Sequence, residues 1–156
     1  MKTVETVKLV VLNPLDDVLL LRRVLKNANG PEIRGGDWEL PGGEFEAEDL
    51  GHVLLAGGRE LRQETGLELD ELRLLGRQAP EERISKYGHM NRRHLLIARC
   101  ALADPVVRFD SQPSGDIEHT EHAWAGIAEA QEIVSHPVQR EFIATAGLVL
   151  QGAALL

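Results

Sequence analysis

Residues 38–67 read WELPGGEFEAEDLGHVLLAGGRELRQETGL, and the order of glycines, acids and apolar residues in this stretch decides the fold. Trp38 to Gly43 is a short extended segment that closes in a sharp turn at Gly42-Gly43. Glu44, Glu46, Glu48 and Asp49 follow as an acidic run. From Leu50 to Thr65 the spacing predicts a helix. Leu50, Val53, Leu54 and Leu61 share one face, and Arg59, Glu60, Gln63 and Glu64 share another. Asp49 is the expected N-cap, and Gly66 is the expected left-handed stop. Gly57-Gly58 runs against the pattern, since each glycine inside a helix costs about 1 kcal/mol relative to alanine. Either these glycines pack closely against backbone, or the helix starts later.

Glu60 and Glu64 are four apart, so on a helix their Cβ atoms lie about 5–6 Å apart on one face. Like charges at that spacing cost helix stability unless a cation sits between them. An isolated pair of this kind is ordinarily a solvated charged face, here with Arg59 and Arg62 as local partners. The chemical alternative is a metal site. Carboxylate oxygens are the ligands Mg²⁺ prefers, and it is usually bound by one or two carboxylates plus substrate phosphates. A metal so held polarises a phosphoryl group and lowers the pKa of a bound water.

The flanking residues favour the metal site. Arg59-Glu60-Leu61, Glu64 and Gly66-Leu67 resemble the C-terminal half of the signature of the MutT-like Nudix hydrolase family. That box is G-x5-E-x7-R-E-U-x-E-E-x-G-U, with U apolar, and Trp38 to Gly43 looks like the family's usual lead-in to it. A late Glu-x-x-Trp (Glu121 to Trp124) and a C-terminal helical stretch follow the family's order as well. The resemblance implies one α/β domain over residues 1–156. Its fold would be an α/β/α sandwich, a mixed sheet with the box helix on one side and the C-terminal helix on the other.

Two departures stand out. Fifteen residues separate Gly43 from Arg59 where the pattern has thirteen. The box's first glutamate therefore falls on Asp49 counting from Gly43, or on Gly51 counting from Arg59, and Glu48 or Asp49 is the expected substitute. Gln63 stands where the first glutamate of the Glu-Glu pair belongs. Its neutral carbonyl oxygen would weaken a metal site without abolishing it.

By position, the resemblance makes Glu60 and Glu64 ligands of Mg²⁺ or Mn²⁺, with the Gly42 carbonyl and Gln63 contributing to the shell. Glu60 is alternatively the group that orients the attacking water. Arg59 would position the helix glutamates. Family members recruit another acid from a late loop to bind metal or deprotonate water, and Glu118 and Glu121 are the candidates. Their run, Glu118-His119-Thr120-Glu121-His122, reads equally as an exposed polar edge, and its spacing is not that of a zinc protease. Arg83, Lys86, Arg92 and Arg93 concentrate positive charge and are candidate phosphate ligands if the strands they flank border the metal helix. Tyr87 among them is a candidate for stacking on a base or for packing.

Outward from the box, Val4–Leu12 and Val18–Val24 read as strands around a turn at residues 13–17. Lys26 to Asp37 reads as a long loop. Leu67–Arg77, Glu82–Lys86, Arg93–Leu102 and Glu118–Ala125 are further strand candidates, with Trp124 facing the core. Ile127–Val134 and Pro137–Leu150 read as helices, the second with Pro137 in its first turn.

Composition narrows the function. With 156 residues, 43% of them hydrophobic, the chain is long enough for a proper core. Asp+Glu 25 against Lys+Arg 17 gives a formal charge of −8, which argues against non-specific binding to nucleic acid or anionic membranes. An acidic protein still handles small phosphorylated molecules when divalent ions mediate the contact. The single cysteine, Cys100, fits a reducing compartment and reads as a buried small hydrophobe. Neither a signal peptide nor a membrane span is read, so a cytoplasmic protein is expected. Phosphate-binding G-x-x-x-x-G-K-[ST], G-x-G-x-x-G after a strand, G-x-S-x-G and paired-cysteine zinc motifs are all absent from the sequence.

The expectation is a divalent-metal-dependent pyrophosphohydrolase acting on a nucleoside diphosphate linked to another group. The partner is a small nucleotide derivative, and the sequence leaves a homodimer open. The alternative is a ligand-binding module of the same fold with weak or no hydrolysis, motivated by Gln63 and the longer loop.

Overall fold

Thr3 to Lys8 mixes β-branched residues with the charges of Glu5 and Lys8, and an apolar run continues to Leu12; together they form the central strand β1 (Thr3–Leu12). The computed structural model describes residues 1–27, 30–32 and 34–152. After β1 come β2 (Val18–Arg23), β3 (Lys26–Asn27), β4 (Gly30–Pro31), β5 (Trp38–Glu39) and β6 (Gly42–Glu44). Then follow α1 (Val53–Thr65), β7 (Arg73–Ile84), β8 (Met90–Arg99), β9 (His119–Ala125), α2 (Ile127–Ile133) and α3 (Pro137–Leu150).

β8 runs parallel to β1 from Thr3↔Met90 to Leu12↔Arg99. On its other side β1 pairs antiparallel with β6 at Thr6–Lys8 and with β2 at Leu12↔Val18. β2 carries β5 and β9, and β7 closes the far edge against β8. The period of two along β1 divides the core. Val10 and Leu12 pack with Leu95, Ile97, Phe142 and Ile143 under α2 and α3. Val7, Leu9 and Val11 pack with Leu96, Ala56 and Leu61 under α1. The sheet is mixed and lies between α1 and the α2–α3 pair, so the expected α/β/α sandwich is the observed one.

Three expectations change at the level of elements. The box helix starts at Val53, after a 3₁₀ turn at Ala47–Asp49 and left-handed residues at Leu50 (φ 52°) and Gly51 (φ 73°). His52 takes the N-cap position, because the side chain of Asp49 is turned inward. Gly57 packs against the sheet: an added Cβ there would sit 2.5 Å from Leu96 Cδ1. That explains a glycine in mid-helix, though not Gly58, whose added Cβ would make only ordinary contacts with Leu69.

The expected strands Leu67–Arg77 and Glu82–Lys86 are a 3₁₀ turn at Leu69–Glu71 followed by the single long strand β7. Pro80 is tolerated in it because the pairing with β8 is irregular between Gln78 and Glu81. Finally, the loop expected from Lys26 to Asp37 contains the short β3–β4 ribbon. Its residues 28, 29 and 33, like residues 153–156 at the C-terminus, lie outside the described residues.

Candidate active site

The Gly42-Gly43 turn is pressed against the inner face of α1, and both glycines are there for space. A Cβ at Gly42, whose φ is +143°, would overlap the carbonyl oxygen of Val7. One at Gly43 would lie 2.6 Å from Glu60 Oε1. The Gly42 N–H donates to Glu64 Oε2 at 2.9 Å. The turn is further pinned at Leu40, whose N–H donates to Gln139 Oε1 at 2.8 Å and whose carbonyl accepts from Lys8 Nζ at 3.2 Å.

Glu60 and Glu64 are both buried. Burial pushes the Glu64 carboxyl well above the usual carboxylate range. The charges of Glu60 and Glu39 add to that rise, while Lys8 and the Gly42 N–H oppose it. Glu60 is raised as well, by burial first and then by Glu118, against the pull of Arg59 and Lys8. Carboxyl oxygens of Glu64 and Glu118 and a ring nitrogen of His119 all lie within 4.8 Å of one another. With Glu60 and Glu64 both raised, these acids form a donor set that a hard divalent cation satisfies, because it removes the like-charge repulsion and needs oxygen ligands.

Behind the glutamates Arg59 is buried in a nest of acceptors. Its Nε donates to Asp49 Oδ1 at 3.0 Å, and Nη2 donates to Asp49 Oδ2 and to the Glu44 carbonyl, each at 2.9 Å. Its Nη1 donates to Glu60 Oε1 at 3.1 Å and to Gln63 Oε1 at 3.2 Å. Of the two expected substitutes for the box's first glutamate, Asp49 is the one that hydrogen-bonds Arg59.

A second buried group closes the other flank. His119 Nε2 is 2.9 Å from Glu39 Oε1, and Arg23 Nη1 donates to the same oxygen at 3.1 Å. Burial alone would raise Glu39, but the His119 hydrogen bond and the charges of Lys8 and Arg23 outweigh it and hold the carboxyl at about 2.

Gly42, Glu60, Glu64, Glu118 and Arg93 border one cavity of about 670 Å³. Arg59 and Gln63 do not border it: Arg59 meets it through Glu60, and Gln63 accepts from Arg59. Glu121 is placed elsewhere: it is exposed and paired with Arg22 at 3.1 Å. The register runs Arg22↔Glu121 and Arg23↔His119, and this bulge aims His119 inward while Glu121 stays outside. Arg83, Lys86 and Tyr87 sit at the end of the β7–β8 hairpin. There Arg83 pairs with Glu81, and the Lys86 ammonium lies 5.1 Å from the centroid of the exposed Tyr87 ring. Arg92 is one residue from Arg93 and so faces the other side of the sheet, where it meets Glu5 and Glu82.

The cavity also takes in Lys8, Arg23, Arg34, Glu39 and His136, which sequence reasoning did not single out. A usable signal existed for two of them. Lys8 is a lone charge in an apolar stretch of strand, and Glu39 belongs to the Trp38–Gly43 lead-in.

The family model for the NUDIX domain matches residues 2–146. Similar solved structures include a binary complex of an Ap4A hydrolase from C. elegans, 17% identical, with 96% of this chain and 99% of that one covered at a TM-score of 0.72. Another is the E. coli dihydroneopterin triphosphate pyrophosphohydrolase, 17% identical, covering 94% and 95% at a TM-score of 0.67. A third is a MutT protein from Methanosarcina mazei Go1, 19% identical, covering 94% of each chain at a TM-score of 0.65. No curated protein matches the sequence significantly. Among the described residues no helix is long and apolar enough to cross a membrane. The match spans nearly the whole chain, the Gly42-Gly43 turn lies against Glu60 and Glu64 as the box requires, and the chain belongs to the Nudix hydrolase family.

Proposed function

We propose that the protein hydrolyses a phosphoanhydride bond in a small nucleotide derivative, a nucleoside diphosphate linked to a further group, with Mg²⁺ or Mn²⁺ as cofactor. One observation carries this reading. Glu60, Glu64 and Glu118 converge beside the Gly42-Gly43 turn in a cavity that also holds Lys8, Arg23, Arg34 and Arg93. Carboxylates and cations in one cavity suit a substrate that brings phosphates to the arginines and shares a divalent ion with the acids. The Ap4A hydrolase and the dihydroneopterin triphosphate pyrophosphohydrolase of the same fold agree with that class.

Glu60, Glu64, Glu118 and the Gly42 carbonyl are the groups that would hold the metal. Bound there, it would polarise the phosphoryl oxygens and acidify water. The residues do the rest. Glu118, exposed at the cavity wall, is alternatively the base that would take the proton of the attacking water, a role worth about 10²–10⁴-fold. Arg59 fixes the Glu60 carboxylate by its 3.1 Å hydrogen bond. Arg93 and Arg23 bind phosphate oxygens, and Lys8 keeps the Leu40–Gly42 segment in register with α1.

The test is a panel of nucleoside triphosphates, nucleotide sugars, ADP-ribose and dinucleoside polyphosphates, assayed with Mg²⁺ and with Mn²⁺ beside Glu64→Gln. Turnover of one class that disappears in the variant supports the hydrolase. Silence across the panel from folded, metal-loaded protein moves the reading to a ligand-binding module. Gln63 is the residue that speaks for that outcome, since its side-chain oxygen is committed to Arg59.

A further inference from the structure

The cavity is charged in two regions that come from different elements. The acids enter from α1, from the lead-in at Glu39 and from Glu118 before β9. A group of basic side chains enters elsewhere: the guanidinium groups of Arg34, from the segment before β5, and Arg93, from β8, and the imidazole of His136 from the start of α3.

In a chain of formal charge −8, most guanidinium groups find an acid. Arg22 pairs with Glu121, Arg23 with Glu39, Arg62 with Glu68, Arg92 with Glu5 and Arg99 with Asp16. Arg34 and Arg93 line the cavity yet make no side-chain hydrogen bond or ion pair among the described residues. His136 borders the same cavity. Burial first, and then the charges of Arg34, Arg93 and Lys8, disfavour its protonated form, with Glu39 the opposing acid. Its Nδ1 is shielded from solvent and has no hydrogen-bond partner. Like charges gathered at one wall repel unless an anion joins them, and the planar guanidinium fork matches phosphate oxygens bidentately.

We infer that Arg34, Arg93 and His136 form an anion subsite that takes a phosphate group beyond the bridge being cleaved. This rests on the hydrolase reading for the position of the bridge. It makes the favoured substrates those whose chain continues into a further phosphate, nucleoside triphosphates or dinucleoside polyphosphates. Substrates whose bridge ends in a neutral sugar are disfavoured.

Two measurements test it. In the first, kcat and KM are compared for a nucleoside triphosphate and for ADP-ribose in wild type, Arg34→Gln and His136→Ala. Arg34 is exposed and has no ion pair among the described residues, so its replacement leaves the fold alone. The expected result is a KM for the triphosphate raised about tenfold or more, the loss of one charge-assisted hydrogen bond, with ADP-ribose changed by less than about threefold. Equal effects on both substrates, or none on either, overturn the subsite.

In the second, inorganic tripolyphosphate is titrated calorimetrically into chelator-treated protein. Arg34→Gln and Arg93→Gln should each weaken binding about tenfold, while Glu64→Gln does not. Binding unchanged in the arginine variants also overturns the subsite. If no panel substrate turns over but tripolyphosphate binding still depends on both arginines, the hydrolase reading fails and the anion subsite stands.

Discussion

The guanidinium of Arg59 lies against the carboxylate of Asp49, with Nε 3.0 Å from Oδ1 and Nη2 2.9 Å from Oδ2. Both residues are buried, and the pair ties the loop after β6 to α1. Through its remaining nitrogen the same guanidinium reaches Glu60. A loop of different length from the family pattern therefore still delivers the helix glutamates.

Asp49→Ala leaves Arg59 buried with Glu60, Gln63 and the Glu44 carbonyl only partly replacing the lost partner. Removing one member of a buried ion pair costs about 3–5 kcal/mol, and the remaining acceptors place the expected loss near about 3 kcal/mol. Urea unfolding measures it. A loss below about 0.5 kcal/mol, the size of an ordinary surface change, would show that Arg59 does not depend on Asp49.

Glu64 gives a stability prediction with the opposite sign. Its folded pKa lies well above the ordinary value, by burial first and then by Glu60 and Glu39. Between the unfolded and folded values the native state binds the extra proton, so stability falls as pH rises through that window. Metal-free Glu64→Gln should therefore unfold at a higher temperature than wild type at neutral pH, with the gap closing near pH 4. Added Mg²⁺ or Mn²⁺ should raise the melting temperature of wild type and leave the variant nearly unmoved. Thermal unfolding with and without chelator checks both arms.

Glu39 behaves in the reverse sense. Its carboxyl is held at about 2, against its own burial, by His119, Lys8 and Arg23. A depressed folded pKa contributes stability that is fully present above the unfolded value and is lost as pH falls through the folded one. The window here runs from about pH 4.5 down to about 2 and carries about 3 kcal/mol. In Glu39→Gln the acid limb of an unfolding-versus-pH curve should flatten over that window. A variant with an unchanged acid limb would put the titrating group elsewhere.

The sequence makes some of this site legible and hides the rest for definite reasons. Glu60 and Glu64 are readable because helical spacing alone puts them on one face, whatever else the chain does. Glu39 and His119 are separated by 80 positions, and their pairing exists only because β2 lies between β5 and β9. Nothing local announces it. The basic cluster Arg83–Arg93 looks like one patch along the chain, yet strand alternation sends Arg92 and Arg93 to opposite faces and the hairpin carries Arg83 and Tyr87 away. For Asp49, cap and arginine ligand are both reasonable from spacing. The left-handed pair Leu50 and Gly51 decides it by turning the chain before the helix begins.

Gly43 and Gly42 should fail differently on substitution by alanine. At Gly43 the new methyl would meet the Glu60 carboxylate, the movable end of a side chain, at 2.6–2.9 Å. That variant should fold and lose turnover about 10–100-fold as Glu60 is displaced. At Gly42 the methyl would meet the backbone of Val7 and Lys8, at a φ of +143° that alanine avoids. Gly42→Ala should therefore lose stability outright. Circular dichroism melts beside kcat values separate the two, and a Gly42→Ala protein with wild-type stability would contradict the packing at this turn.

Gln139 supplies the remaining anchor of the turn, and it acts from the opposite layer of the sandwich. Its Oε1 accepts from the Leu40 N–H at 2.8 Å, and the side chain is buried at 4% exposure. Truncation to alanine leaves a buried backbone donor unsatisfied, which costs about 1–3 kcal/mol. The damage should also reach the chemistry, because Leu40 is two residues from Gly42 and its carbonyl is the one Lys8 holds. Gln139→Glu keeps an acceptor at the same position, so it should restore most of the lost stability while adding a negative charge to the cavity wall. A positioning role therefore predicts a split. Gln139→Ala should lower both melting temperature and kcat, whereas Gln139→Glu should recover the melting temperature and raise KM for an anionic substrate. Equal loss of stability in both variants would mean that Gln139 serves as packing and not as the acceptor for Leu40.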